Sequence, residues 1–307
     1  MSIHDPNPAQ DRTCNLLMIG SSFCYYYVEE LYGMLEAAGI HAKVYNAYYN
    51  GCSLEKHWTW WKSGEANYQL FVTDENGRRN AFGDRRVSLE ECLSQEKWDV
   101  ISLQEATAGI FRDGAAAHLQ NTKVYWQELL EYLNDRFPTS RLLWHQPWTY
   151  QIVYGKAGDP VTPAIQESRE IEIENYAAAV CAFFNGRLER VPSGRAWQVC
   201  RSDYGYDYLT CRLAINDGEG DGFHDGDIGG GQYLNACVWF EIITGTSCIG
   251  NSYVPNYPCE FRLSDELQSR LRIDICGTEI TLRQDLIRTL QNAAHDAVEM
   301  QKAAVGC

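Results

Sequence analysis

No run of 18 apolar residues occurs in the 307-residue sequence, so no transmembrane helix is expected. Its start, residues 1–13, is polar and lacks the charged-then-apolar layout of a secretory leader. This places the protein in the cytoplasm, or outside the cell with its leader already removed. Basic residues are scarce: 26 Lys and Arg face 41 Asp and Glu, a formal charge of −15. Sequence-independent nucleic-acid binding and docking on anionic lipid both need a basic face, so neither nucleic acid nor membrane is expected as a partner. The twelve cysteines form no Cys-x-x-Cys pair, which argues against a zinc ribbon and a thioredoxin motif. Several, such as Cys24, Cys92, Cys181 and Cys237, fall inside expected helices and strands and read as reduced core thiols. His41, His57, His118 and His295 share no His-x-x-x-His spacing, which argues against a catalytic zinc. Gly229-Gly230-Gly231 follows no strand and so is no dinucleotide fingerprint. No cofactor and no metal are expected.

What is present is enough apolar material, 45% of residues, for a sizeable core. Apolar runs alternate with amphipathic ones. Residues 14–19, 42–48, 99–103, 141–145 and 188–191 read as strands. Residues 23–38, 115–137, 163–185, 193–201 and 228–244 read as helices, and 88–95 opens with a Ser-x-x-Glu capping box and reads as a short helix. A polar hairpin turns at Asn76-Gly77. Two further helices, 265–275 and 282–304, finish the chain, with a short extended piece near 274–281. Strand–helix alternation predicts an α/β fold: a three-layer α/β/α sandwich on a five-stranded parallel sheet of flavodoxin-like order 2-1-3-4-5. With no internal repeat or low-complexity linker, a single domain over 1–307 is expected. It carries an N-terminal arm (1–13), an inserted hairpin (64–86) and a C-terminal helical extension (250–307).

The chemistry is expected at the carboxyl edge of that sheet. Asn15 to Phe23 reads as buried strand, tight turn and helix, which places Ser22 at a strand end and near a helix N-terminus, where developing negative charge is favoured. The competing role for Ser21 or Ser22 is a helix cap. Gly51 and Gln104 follow the second and third strands to the same edge. The late loop carries Asp221-Gly222-Phe223-His224, and an Asp three residues before a His can fold back to orient the imidazole.

These blocks resemble, in order and spacing, those of the SGNH (GDSL-like) hydrolases. Gly20-Ser21-Ser22-Phe23, Gly51-Cys52-Ser53, Leu103-Gln104 and Asp221 to His224 are most similar to a bacterial subgroup known as a domain of unknown function, over residues 14–250. The resemblance implies Ser22 as nucleophile, Asp221 and His224 as the remaining triad members, and the N–H groups of Ser22 and Gly51 as oxyanion donors. The family's Gly-x-Asn-Asp block is absent, and Gln104 stands where its asparagine would be a third donor. Ser21 replaces the usual Asp or Asn. The implied activity is a serine esterase removing small acyl groups, with O-acetylated carbohydrate as the substrate class; the alternative is a non-catalytic carbohydrate-binding protein on the same fold.

Other motifs compete for function. Asp217, Glu219, Asp221, Gly222 and Asp225 begin like a calcium loop, yet Ile228 stands at the closing ligand position, and a solvated Asp/Gly turn fits as well. His145 and Trp148, after the fourth strand, are either substrate contacts or a packed aromatic loop. Trp58, with Trp60 and Trp61, is either a sugar-stacking platform or hairpin packing.

Overall fold

A computed structural model describes residues 12–152, 161–184, 186–259 and 262–305; most of the expected N-terminal arm lies outside them. The chain packs as two compact units. One takes the chain as far as Pro147 together with Glu172–Val191; the other takes Trp148–Ile171 and the chain from Pro192 onward.

The first unit holds the large sheet. Its elements are β1 (Arg12–Gly20), α1 (Val28–Ala37), β2 (Ile40–Tyr48), α2 (Leu54–Ser63), β3 (Gln69–Thr73), β4 (Arg79–Ala81), α3 (Leu89–Leu93), β5 (Val100–Leu103), α4 (Ala108–Asp113), α5 (Ala115–Arg136) and β6 (Arg141–His145). It also holds β7 (Glu189–Val191) and the second half of α6 (Pro163–Phe184). Strands β2-β1-β5-β6-β7 are parallel, which is the expected order 2-1-3-4-5. The inserted hairpin joins the sheet: β3 pairs antiparallel with β2 and β4 with β3, so among the described residues the sheet has seven strands rather than the five expected. Asp74 Oδ1 closes that hairpin by accepting the N–H groups of Asn76 and Arg78, at 2.9 and 3.0 Å.

β1 is the central strand, and Leu16, Leu17, Met18 and Ile19 are all fully buried. A strand covered on both faces needs a continuous apolar run rather than an alternating one. Leu17 and Ile19 share one core with Trp126 and Leu129 of α5, Tyr176 and Val180 of α6, Leu54 of α2 and Cys92 of α3. On the other face, the Tyr27 hydroxyl just before α1 reaches the Met18 sulfur at 3.7 Å. Helices therefore cover both faces of the sheet, giving three layers.

The capping box at the start of α3 forms as expected, with Ser88 and Glu91 bonding reciprocally. The expected helix from residue 23 begins instead as a 3-10 turn over Ser22–Cys24, with α1 starting only at Val28. α4 was not expected; it is six residues long and its N-cap, Thr107, makes no side-chain cap bond.

The second unit contains α7 (Ser193–Ser202), α8 (Gly231–Thr244), β8 (Asn256–Pro258), α9 (Asp265–Leu271), β9 (Ile273–Cys276), β10 (Glu279–Leu282) and α10 (Gln284–Val305). Helices α7, α8 and α10 pack on one another, and α8 is buried nearly all round. α8 begins at Gly231 rather than at Ile228. Its N-cap Gly230 adopts φ +77°, and a Cβ at Gly229 or Gly231 would strike the carbonyl oxygens of Tyr208 or Leu209 at 1.9 or 2.2 Å. The expected helix over 265–275 is cut short because Arg272 takes φ +54°; the chain then forms the antiparallel pair β9–β10. Among the described residues the cysteines are free thiols, and no helix is long and apolar enough to cross a membrane.

Candidate active site

In the first unit, three loops meet at the carboxyl ends of β1, β2 and β5. The Gly20 carbonyl accepts the Tyr49 N–H at 3.1 Å, the Ile19 carbonyl accepts the Gln104 N–H at 2.9 Å, and the Cys52 carbonyl accepts the Ala106 N–H at 3.0 Å. Ser22, Gly51 and Gln104 are brought together as loops in this way. Gly20 must be glycine, since a Cβ there would lie 2.7 Å from Cys24 Sγ and 2.8 Å from Gln104 Oε1.

The two serines divide their tasks. Ser21 is the cap: its hydroxyl accepts the Phe23 N–H at 3.4 Å. Ser22 is buried, and within its own unit its hydroxyl bonds to no described residue. Its N–H opens the 3-10 turn, where no intrahelical acceptor exists. The Gly51 N–H, at φ +60°, likewise meets no acceptor among the described residues. Both are donors held in place by backbone and still available.

Gln104 departs from expectation. Its Oε1 accepts the Ser21 N–H at 2.8 Å and the Ser21 hydroxyl at 2.7 Å, and its Nε2 donates to the Glu105 carbonyl. A backbone N–H can only donate, so this fixes which end of the amide is the oxygen. The end of the amide turned toward Ser21 is the acceptor, and the Nε2 expected as a third oxyanion donor is instead engaged by the Glu105 carbonyl. His57, given no role in the sequence reading beyond the zinc test, continues this wiring. Its Nε2 meets the Gln104 carbonyl at 3.2 Å and its Nδ1 the Tyr68 hydroxyl at 2.6 Å. A carbonyl only accepts, so Nε2 carries the proton. Complete burial lowers the His57 pKa to about 4 and keeps the ring neutral.

The expected Asp–His pair belongs to the second unit. His224 Nδ1 lies 2.7 Å from Asp221 Oδ2. Asp221 Oδ1 accepts the N–H groups of Phe223 and His224, at 3.1 and 2.9 Å. Arg212 Nη1 stands 4.0 Å from Oδ2. Burial opposes the charge on Asp221, but the hydrogen bonds and charge of His224 and the two backbone donors outweigh it and lower its pKa. The short Asp-x-x-His loop thus holds an ionised carboxylate against Nδ1 and fixes the ring tautomer. Asp227, beyond it, turns its carboxylate to the N–H groups of Leu213 and Ile228.

The aromatic candidates sit elsewhere. Trp148 is fully buried, stacks on Trp197 at 4.5 Å, and donates its indole N–H to the Phe223 carbonyl at 2.8 Å. Beside it the Gln151 N–H reaches the Gly222 carbonyl at 2.8 Å. Trp148 therefore braces the Asp221–His224 loop, and the packed-loop alternative describes it better than substrate contact. His145 is fully buried against Tyr27, whose hydroxyl lies 3.3 Å from Nδ1; burial lowers its pKa to about 3, and no surface is left for substrate. Trp58 is half-buried, bonds Glu128 through its indole N–H at 3.1 Å and packs on Tyr125 at 5.2 Å, which fits the packing alternative.

A protein of the DUF4886 family from Bacteroides uniformis ATCC 8492 has a similar structure, with 25% identity and a TM-score of 0.69, over 93% of this chain and 95% of that one. A candidate GDSL-like lipase from Parabacteroides merdae ATCC 43184 aligns at 15% identity and a TM-score of 0.49, over 76% and 97% of the two chains. The acetyl xylan esterase AlAXEase aligns at 11% identity and 0.46, over 75% and 99%. No curated protein matches the chain. The family model described as DUF4886, a domain of unknown function, matches residues 15–262, and the chain belongs to that family.

Proposed function

We propose that the protein is an SGNH-type serine hydrolase that cleaves small-acyl esters, with O-acetylated carbohydrate as the substrate class. The observation that carries this reading is the Asp221–His224 pair. A carboxylate that also takes two backbone N–H groups within its own four-residue loop holds an imidazole at 2.7 Å, which is how a general base is oriented.

In this reading Ser22 Oγ attacks the ester carbonyl while His224 Nε2 takes its proton. The oxyanion that forms is stabilised by the N–H groups of Ser22 and Gly51, which cost no reorganisation because the backbone already fixes them. The tetrahedral intermediate collapses, the C–O bond to the alcohol breaks, and the imidazolium returns the proton to the departing alkoxide. Water, deprotonated by the same imidazole, then attacks the acyl-Ser22 ester; serine is regenerated and a carboxylic acid leaves. Asp221 stays ionised and steadies the imidazolium in both halves.

A fluorophosphonate tests this directly. Intact-protein mass should rise by one phosphonyl group, peptide mapping should place it on Ser22, and hydrolysis of 4-nitrophenyl acetate should stop in step. Labelling elsewhere, or none with a folded protein, rejects the reading.

A further inference from the structure

A cavity of about 440 Å³, its wall a mixture of charged, polar and apolar residues, opens in the first unit, between the start of α2, the loop after β5, α4 and α5. Its size is that of a small-molecule site, and Gly51, one of the two proposed oxyanion donors, is part of its wall. Neither His118 nor Asn121 entered the catalytic reading.

The floor is rigid and ionic. His118 lies between two carboxylates, with Nε2 2.9 Å from Glu105 Oε2 and Nδ1 3.4 Å from Asp113 Oδ2. With a carboxyl group against each ring nitrogen, the doubly protonated ring is the form this arrangement favours. Burial opposes that charge, but the two carboxylates outweigh it and the pKa is raised. Glu105, almost fully buried, is held on its other oxygen by the Tyr176 hydroxyl at 2.6 Å. Gly109 makes room for the ring, since a Cβ there would lie 2.3 Å from His118 Cε1.

With His118 protonated the charges of the wall cancel: Lys56, Arg112 and His118 stand against Glu55, Glu105 and Asp113. A cavity with no net charge gives an anionic or cationic ligand no electrostatic advantage. It does offer hydrogen bonds of both senses. The Asn121 amide is exposed and makes no bond to any described residue, which leaves two donors and an acceptor. The Ser53 hydroxyl accepts the Lys56 N–H at 3.3 Å and still has its own proton to give. Such a mixture matches alternating hydroxyl groups, each of which both donates and accepts.

We propose that this cavity holds the alcohol part of the substrate as a neutral, hydroxyl-rich ring, a saccharide, gripped by Asn121 and Ser53 over the Glu105–His118–Asp113 floor. This rests on the esterase reading for its place beside Gly51; the cavity's choice of ligand rests on its own walls.

The test has two arms. The first compares kcat/KM for methyl 2-O-acetyl-β-xylopyranoside, whose other ring hydroxyls are free, with that for 4-nitrophenyl acetate, in wild type and in Asn121→Leu, an exposed helix position where folding tolerates the change. The ratio should fall at least about tenfold, mainly through KM for the sugar ester; an unchanged ratio overturns the proposal. The second uses Ser22→Ala and needs no catalysis: ligand-observed NMR should detect xylobiose at millimolar concentration, and addition of Asn121→Leu should remove the signal. Equal binding with and without Asn121, or no saccharide binding at all, overturns it. Should the wild type hydrolyse neither ester, the esterase reading fails while the second arm still decides the cavity.

Discussion

The side-chain oxygen of Gln104 receives both the N–H and the hydroxyl of Ser21, at 2.8 and 2.7 Å, one residue before the proposed nucleophile. Gln104→Ala would leave a buried N–H and hydroxyl without partners, a loss of about 1–3 kcal/mol. Denaturant unfolding should register that loss, and kcat should fall more than KM rises because Ser22 is no longer held in register. In a phosphonate-bound crystal, Gln104 Nε2 should stand more than about 4 Å from the phosphoryl oxygen, beyond any hydrogen bond. A nitrogen within about 3 Å would restore the oxyanion-donor role.

Ser22→Ala should cut turnover of 4-nitrophenyl acetate at least about a thousandfold, with the unfolding midpoint unchanged. A variant that keeps a tenth of wild-type kcat removes Ser22 from the mechanism.

Asp221→Asn preserves an acceptor for the N–H groups of Phe223 and His224, so the loop should persist. With no carboxylate to fix the ring, kcat should drop about a thousand- to ten-thousandfold. In the wild type the lowered Asp221 pKa means that this group stays charged to below the usual carboxylate range. The acid limb of kcat/KM above pH 4 should therefore have the slope of one proton, not two. A slope of two would show Asp221 titrating alongside the base.

His57 predicts an acid sensitivity of the fold. Its pKa is lowered from 6.5 to about 4 in the native protein. Between those values the unfolded chain binds the extra proton, so stability is complete above about pH 6.5 and declines as pH falls to about 4. The full effect is about 3 kcal/mol. Urea titrations at half-unit pH intervals should show His57→Gln to be less stable at pH 7 but shallower in its acid decline. Parallel curves for the two proteins would mean that His57 is already accessible to protons.

Much of this protein could be read locally. The buried run from Leu16 to Ile19, the glycine that must follow it, the capping box at Ser88 and the order of the five parallel strands all depend on residue type and period, which the chain carries within a few positions of itself. The family was legible for the same reason: the expected match over 14–250 is close to the observed 15–262, because its blocks are short and sequential. The Asp221–His224 contact belongs here too, since three residues suffice to fold one side chain onto the other.

Other features had no local signal. The hairpin reads as an insertion until β2 offers it an open edge, where unpaired backbone groups take β3 as a neighbour. The role of Gln104 depends on Ser21, 83 positions away, and that of His57 on a carbonyl 47 positions away. A polar side chain reads the same in sequence whether it faces a substrate or a buried N–H. Trp148 and His145, which follow a strand, could be read either as substrate contacts or as a packed loop, and burial favours the packed loop. Sequence by itself determined the sheet, the two serines at its edge and the paired Asp and His, because strand period, turn chemistry and short loops act between neighbours. Only the tertiary structure decided which partners those groups bond to, which of them are buried and where the cavity lies, because hydrogen-bond partners and solvent exposure are set by segments that meet in space.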